Sequence, residues 1–259
     1  MKILVCVKWV PEIDAVETQR EYNAETLTPA HWPHRMNRYD EYALEAALQI
    51  RACEPDTRID ALTVGPPEVE PVLKRAMGMG ADNGIHIVYP QPGLVSPLVV
   101  AALLSGATSA AGYDLILCGI QSEDLMQGVV GPALAENLDI PAVTAVIAMC
   151  WRSEENQWRV EREIEEGRRE VMALSPPALF SIQSGINRPR YPSLSNLLRA
   201  NRRGVQCIPA ADLDIPSRRQ RVVRLVHPVQ MRAAKMLKGS PEQKAVELAG
   251  IFRAKGFLK

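Results

Sequence analysis

Short apolar runs alternate with segments of helical period through the first half of this chain, and that alternation limits the fold more than any other feature. Residues 3–7 form a continuous apolar run of the kind a strand buried on both faces requires. After a polar stretch that includes residues 23–33, Tyr39, Tyr42, Ala43, Ala46, Ala47 and Ile50 recur at three- and four-residue spacing and predict an amphipathic helix. Residues 59–64 read as the next strand. Gly65, Pro66 and Pro67 then turn the chain into a helix through Met77, and residues 85–88 follow as a third strand, 96–110 as a third helix and 115–118 as a fourth strand. Strand, helix, strand in this order predicts an α/β fold, a parallel sheet with right-handed crossovers and helices on both faces.

The pattern changes after Pro141. Residues 143–149, 158–164, 170–174 and 178–182 are closely spaced strand-like runs, the middle ones alternating charged and apolar residues as half-exposed antiparallel strands do, and together they predict a hairpin extension. In the segment from Gly185, Pro189 and Pro192 push their predecessors out of helical geometry before a short helical pattern over 193–202. Residues 204–259 read as an arm, with a basic run at Arg218, Arg219, Arg221 and Arg224 and a last helix over about 241–254. The expected organisation is an α/β domain with its antiparallel extension over 1–184, a proline-marked segment over 185–203, and the arm over 204–259. A length of 259 residues suits one large domain with such an appendage.

Composition narrows the class. Apolar residues at 47% and charged residues at 23% are ordinary for a globular protein. Thirty basic residues balance thirty acidic ones, so no net charge draws the chain to nucleic acid or to an anionic membrane. Cys6, Cys53, Cys118, Cys150 and Cys207 lie far apart, without zinc-site pairing or the density of a secreted scaffold, which predicts reduced thiols in a cytoplasm. The initial apolar run is too short for a signal peptide, with Pro11, Glu12 and Asp14 following at once, and the apolar segment 94–111 has the length of a core helix rather than a membrane span.

In an open parallel sheet, ligands bind outside the carboxyl ends of the strands, so the loops after Val7, Val64 and Cys118 are the first candidates. The third runs from Gly119 to Gly131 and opens a helix near Gly128, offering free backbone amides and a positive helix end to a phosphate. The same glycines would also serve a tight strand-to-helix connection with no ligand. Gly78, Gly80 and Gly84 follow a helix and precede a strand, the reverse of a dinucleotide fingerprint, and predict a helix cap instead. His31 and His34 flank a proline, with no Cys or carboxylate to complete a metal set. There is no nucleophile elbow and no P-loop lysine, so chemistry by this chain alone is not expected.

A resemblance is carried by Val160-Glu-Arg-Glu163, Pro177-Ala-Leu179 and Ile186-Asn-Arg-Pro-Arg-Tyr-Pro-Ser-Leu194. Upstream, in order, stand Val7-Lys-Trp-Val-Pro11, the block from Met36 to Glu45, Val64-Gly-Pro66, Ala76-Met-Gly-Met-Gly-Ala-Asp82, and the stretch from Asp114 through the Gly131 loop to Leu138. These blocks resemble the electron transfer flavoprotein beta subunit over nearly the whole chain, and the form Gly185-Ile-Asn-Arg-Pro-Arg-Tyr191 is most similar to the bacterial group serving methylamine-type dehydrogenases.

The resemblance implies an adenine nucleotide alpha-hydrolase-like sheet and a heterodimer. In it an alpha subunit holds most of a redox-active FAD, and the beta subunit buries a structural AMP. The flavin would carry electrons from flavin-containing dehydrogenases to an acceptor such as a quinone oxidoreductase. Matched position by position, the AMP-contacting set is Cys6, Asn37, Arg38, Tyr39, Asp40, Val64, Gly119, Gln121, Ser122, Asp124, Gln127, Gly128, Val129 and Val130. Leu125 and Met126 stand where acidic residues are frequent in the family, and Val129 and Val130 where Gln and Thr or Val occur, leaving fewer side-chain donors for phosphate. Ile13 matches the residue beside the flavin ring, Glu163 the carboxylate that pairs with an alpha-subunit arginine, and Leu194 the leucine inserted into the dehydrogenase. Arg199, Arg202 and Arg203 stand where many relatives carry lysines. Two alternatives stay open: a bifurcating form with FAD in the AMP position and NADH as donor, and an unrelated nucleotide-dependent enzyme on the same sheet.

Overall fold

The computed structural model describes residues 1–12, 33–90, 95–214, 234 and 236–258. It divides into two compact units, Met1–Val222 and Val223–Lys259. In the first, the apolar run at the amino end becomes β1 (Lys2–Cys6). A short antiparallel ribbon follows, β2 (Trp9–Pro11) with β3 (His34–Met36), leading into α1 (Arg38–Cys53). Then come β4 (Arg58–Gly65), α2 (Glu70–Met79), β5 (Asn83–Val88), α3 (Pro97–Thr108), β6 (Leu115–Gly119) and α4 (Val130–Leu138). The later strands are β7 (Ala142–Arg152), β8 (Gln157–Glu163), β9 (Arg169–Leu174) and β10 (Ala178–Ile182), followed by α5 (Leu194–Arg202) and β11 (Gln206–Pro209).

One nine-stranded sheet runs in the order β11-β5-β4-β1-β6-β10-β7-β8-β9. Pairing is parallel from β11 as far as the first half of β7 and antiparallel through β8 and β9. Both faces are covered. Ile3 and Val5 of β1 pack in one core with Ala43, Ala47 and Leu44 of α1 and Leu73 and Ala76 of α2, while the alternating Leu4 and Cys6 pack in the other with Leu103 of α3 and Leu134 of α4. The α/β class and the two-sided helix cover expected from the sequence are observed.

The strand order reverses beside β1. The chain steps from β1 to β4 and β5 on one side, then crosses to β6 on the other, so β1 and β6 flank a switch point, where the carboxyl ends of the strands leave a crevice.

Three placements differ from the sequence reading. The run 178–182 was expected in the hairpin extension, yet β10 lies inside the parallel sheet between β6 and β7. All five of its residues are buried, so it carries the continuous apolar pattern of a two-sided strand and not the alternation of a hairpin. The extension therefore consists of β7, β8 and β9, with β7 bending at a register shift where Ala145 has φ 57°. Residues 206–209, read as the start of the arm, form β11 at the sheet edge beside β5. Gly80, with φ +138°, ends α2 as expected, but Gly78 lies within that helix, where a Cβ would stand 2.7 Å from Cδ2 of Leu197. Its small size lets α5 pack on α2.

The second unit contains α6 (Pro241–Ala254), at the position the sequence predicts. Ser240 caps it, with its Oγ accepting from Gln243 N while Gln243 Oε1 accepts from Ser240 N. No residue of α6 is buried. The basic run at 218–224 lies outside the described residues.

Candidate functional site

The first turn of α1 stands over the switch point and holds both of its banks. Asn37, 1% exposed, precedes the helix; its Nδ2 donates to Gln121 O at 2.9 Å, and its Oδ1 accepts from Glu123 N at 3.1 Å. Asp40, 5% exposed, reaches further in. Its Oδ2 accepts from Lys8 N at 2.8 Å and its Oδ1 from Gly119 N at 3.0 Å, one amide just beyond β1 and the other closing β6. Gly119 has to lack a side chain: a Cβ would lie 2.5 Å from Tyr39 Cβ and 2.6 Å from Asp40 Oδ1.

The 119–129 loop is held from the other bank by Lys8. Its Nζ donates to both oxygens of Asp124 at 2.8 and 2.7 Å and to Ser122 Oγ at 3.2 Å. Glu123 turns toward the ribbon, pairing with Arg35 at 3.3 Å and Arg38 at 3.6 Å. Met126 and Gly128 then take positive φ, 51° and 60°, before the chain enters α4. Among the described residues no side chain caps that helix, so its leading amides lack a side-chain acceptor. Beside its first turn, Gly131 lies close against β6 and β10, where a Cβ would stand 2.8 Å from Cys118 Sγ and 3.7 Å from Ser181 Cβ. Ser181 Oγ is buried and has no hydrogen-bond partner among the described residues.

Burial governs the ionisation of the groups beneath the loop. It pushes Asp40 up to about 7 against the lowering effect of the two backbone amides, Asn37 and the Lys8 charge. Burial first, and the Asp40 charge second, push the Cys6 thiol up to about 12, and Cys118 is likewise raised by burial and by the charges of Cys6 and Asp40. Thiols so raised stay protonated at neutral pH, which makes them poor nucleophiles and poor metal ligands. Among the described residues no cluster of three or more His, Cys, Asp or Glu side chains is placed to hold a metal ion. His34 stacks on Trp9, with ring centroids 5.8 Å apart; His31 lies outside the described residues.

The fourteen positions matched to a nucleotide site therefore fall on four neighbouring segments. Cys6 ends β1; Asn37, Arg38, Tyr39 and Asp40 open α1; Val64 lies near the end of β4; and Gly119, Gln121, Ser122, Asp124, Gln127, Gly128, Val129 and Val130 follow β6. Gln127, Gly128 and Val129 face solvent, whereas Gln121, Ser122 and Asp124 are half-buried in the hydrogen-bond network. Ile13 lies outside the described residues. Lys8 and Glu123 were not singled out by sequence reasoning, although Lys8 falls within the Val7 to Pro11 block; the partners of their side chains are over 80 residues away and only the fold reveals them.

Glu163 and Leu194 sit on other elements. Glu163 is exposed at the end of β8, opposite Arg169 in the ladder, and forms no ion pair among the described residues. Leu194 is the first residue of α5 and 73% exposed, beside Tyr191 at 87% and Leu198 at 53%. It does not pack under its own helix. Leu197 and Ala200 turn inward instead, and the segment is fixed to α1 by Asn187, whose Nδ2 donates to Tyr42 O, and by the Arg190–Glu45 pair at 2.7 Å.

Comparison with known proteins settles the family. A family model described as Electron transfer flavoprotein domain matches residues 27–213. The electron transfer flavoprotein subunit beta of Bacillus subtilis is 32% identical over 225 residues, covering 85% of this chain and 86% of the relative. The chain belongs to the electron transfer flavoprotein beta-subunit family. The like-named subunit of Methylophilus methylotrophus is 26% identical over 259 residues, 97% of each chain, and the mitochondrial one of Oryza sativa subsp. indica 31% identical over 245 residues, 93% of this chain and 95% of its own. Membership assigns the chain a part in flavoprotein electron transfer. No helix among the described residues is long and apolar enough to cross a membrane.

Proposed function

We propose that the chain is the beta subunit of a heterodimeric electron carrier, holding an adenine nucleotide as a structural ligand while its alpha-subunit partner grips most of a redox-active FAD. The observation that carries this reading is the uncapped start of α4 at the β1/β6 switch point, reached by a loop pinned through Asn37, Asp40 and Lys8. An AMP phosphate suits the open amides of that helix, and the buried, unpartnered Ser181 hydroxyl beside Gly131 offers a further polar group at depth. The raised Cys6 and Cys118 thiols, protonated at neutral pH, suit a ligand that is kept rather than turned over.

FAD supplies the one-electron chemistry; this chain's residues shape the surfaces around it. Glu163, exposed and without an internal ion pair among the described residues, is suited to an arginine on the alpha subunit. Such an exposed pair contributes about 0.2 to 1 kcal/mol, which fits a reversible latch on a moving flavin domain. Leu194 projects from a braced helix end as an anchor for a flavin-containing dehydrogenase, and the acceptor is an oxidoreductase such as one that reduces quinone. The bacterial cytoplasm is the compartment that the reduced, separated cysteines favour.

Nucleotide extraction from the purified two-chain complex tests the reading. One FAD and one AMP per heterodimer are expected. Two FAD and no AMP would replace it with the bifurcating, NADH-dependent form, and a complex devoid of both nucleotides would overturn it.

A further inference from the structure

Asp40 does more in this fold than line a pocket. Its two oxygens take the backbone amides of Lys8, just beyond β1, and of Gly119, which closes β6, on opposite banks of the switch point. Gly119 is the root of the 119–129 loop, and Lys8 grips its middle through Ser122 and Asp124. One carboxylate thus fixes the loop at two places, directly at the root and through the Lys8 backbone in the middle. The fit is close enough that Gly119 tolerates no side chain against Tyr39 and Asp40.

Both bonds need an acceptor. An ionised carboxylate has lone pairs for the two amides, but a protonated one turns one oxygen into a donor, which cannot serve an N–H in the same direction. We propose that Asp40 is a positioning residue and proton switch of the nucleotide site: as a carboxylate it ties the root and the middle of the loop to α1, and on taking up a proton it releases one of the two ties. The consequence for AMP rests on the nucleotide reading above; the switch itself does not.

The groups facing Asp40 favour a proton exchange near neutrality. From β1 comes the Cys6 thiol, from β6 the Cys118 thiol, both kept neutral by burial. Asn37, just ahead of α1, favours the charged form, and Lys8 contributes the nearby positive charge, shared with Asp124. Burial outweighs these and places the carboxyl at about 7. A buried acid held near neutrality is costly to the fold, and such sites concentrate where function uses them.

The test uses the purified heterodimer stripped of nucleotide, with the beta chain carrying ¹⁵N-lysine and ¹⁵N-glycine. Amide shifts of Lys8 and Gly119 are followed from acid to alkaline pH, and AMP affinity is measured by calorimetry for native protein and Asp40→Asn. Asparagine is near in shape but offers one acceptor oxygen and turns an NH₂ toward the second amide. Expected are a common titration of both amides with midpoint near 7 that vanishes in Asp40→Asn, and an AMP Kd about tenfold weaker in the variant at alkaline pH, narrowing toward acid as native Asp40 also loses a tie. Taking the ratio to native cancels the phosphate's own ionisation near pH 6. Amides that do not titrate together near neutrality, or a variant that binds AMP as tightly as native protein in alkali, overturn the inference. Failure of AMP to bind at any pH instead overturns the nucleotide reading, and the amide titration of the native protein still decides the switch.

Discussion

Replacing Arg190 by alanine strands a buried carboxylate, and the cost is predictable from the asymmetry of the pair. Glu45 is 4% exposed on α1, while the Arg190 side chain is 48% exposed. Arg190 donates to Glu45 through Nε at 2.7 Å, Nη2 at 2.9 Å and its backbone N at 3.2 Å. Burial alone would raise the Glu45 carboxyl, but the Arg190 bonds and charge outweigh it and hold the group below its ordinary value. Removing the Arg190 side chain therefore leaves a buried charge without its counter-ion, held only by the backbone amide of residue 190 and by Gln49, at about 3 kcal/mol. Removing Glu45 as Glu45→Gln leaves an arginine that solvent can reach, at about 1 kcal/mol. The double variant should fall near Glu45→Gln alone, because once the charge is gone the missing arginine costs little. Urea and thermal melts at neutral pH read these numbers, at about 2 to 4 °C per kcal/mol for a domain of this size. The pH dependence supplies a second sign. With its carboxyl held low, native Glu45 contributes stability above the ordinary carboxylate value of 4.5 and loses it below. In Arg190→Ala the guanidinium bonds and charge are lost and only the backbone amide and Gln49 still oppose burial, so the gain in stability above 4.5 should shrink. Equal costs for the two single variants, additivity in the double, or an unchanged pH slope would refute the reasoning.

Other expectations follow from the same geometry. Leu194→Ala removes an exposed anchor, so the melting temperature should hold within a degree or two while the KM of the carrier for its dehydrogenase rises about tenfold or more, from the roughly 1.5 to 3 kcal/mol a buried leucine contributes; an unchanged KM would remove Leu194 from the docking surface. Gly119→Ala drives a methyl into Tyr39 and Asp40 and should cost about 1 to 3 kcal/mol together with loss of retained nucleotide, seen on extraction. For Asp40 the folded value near 7 exceeds the ordinary 3.8, so the native state binds the extra proton between those values and stability falls as pH climbs through that window. Asp40→Asn should flatten that slope; a slope that persists would assign it to another group.

Much of this architecture is written in the sequence where contacts are local. The apolar run of β1, the period of α1 and the serine–glutamine cap of α6 all follow from residues within a turn or two of one another. The strand ends that carry the site were legible for the same reason, since alternation alone implies a parallel sheet and hence its carboxyl edge. What the sequence does not yield is pairing at a distance. Whether residues 178–182 close a hairpin or fill the gap between β6 and β7 depends on which partner lies alongside, and only their uninterrupted burial distinguishes the two. β11 is four residues long at a sheet edge and has too little apolar periodicity to stand out from the arm. Lys8 reads as a polar break after a strand until the fold brings Asp124 to it, and Asp40 as one more helix-start acid until both strand ends are seen to hang from it. The exposure of Leu194 likewise depends on α5 packing against Gly78, a contact that spacing along the chain does not reveal.

The most direct measurement of the central claim is the reduction of bound flavin by a flavin-containing dehydrogenase and its substrate, followed by visible absorbance, with this chain alone, the alpha subunit alone, and the two together. This chain alone should give no flavin signal and no turnover, and fast bleaching should need both chains and slow in Leu194→Ala. Equally fast bleaching of the alpha subunit without this chain, or conversion of a metabolite by this chain unaided, would contradict that claim.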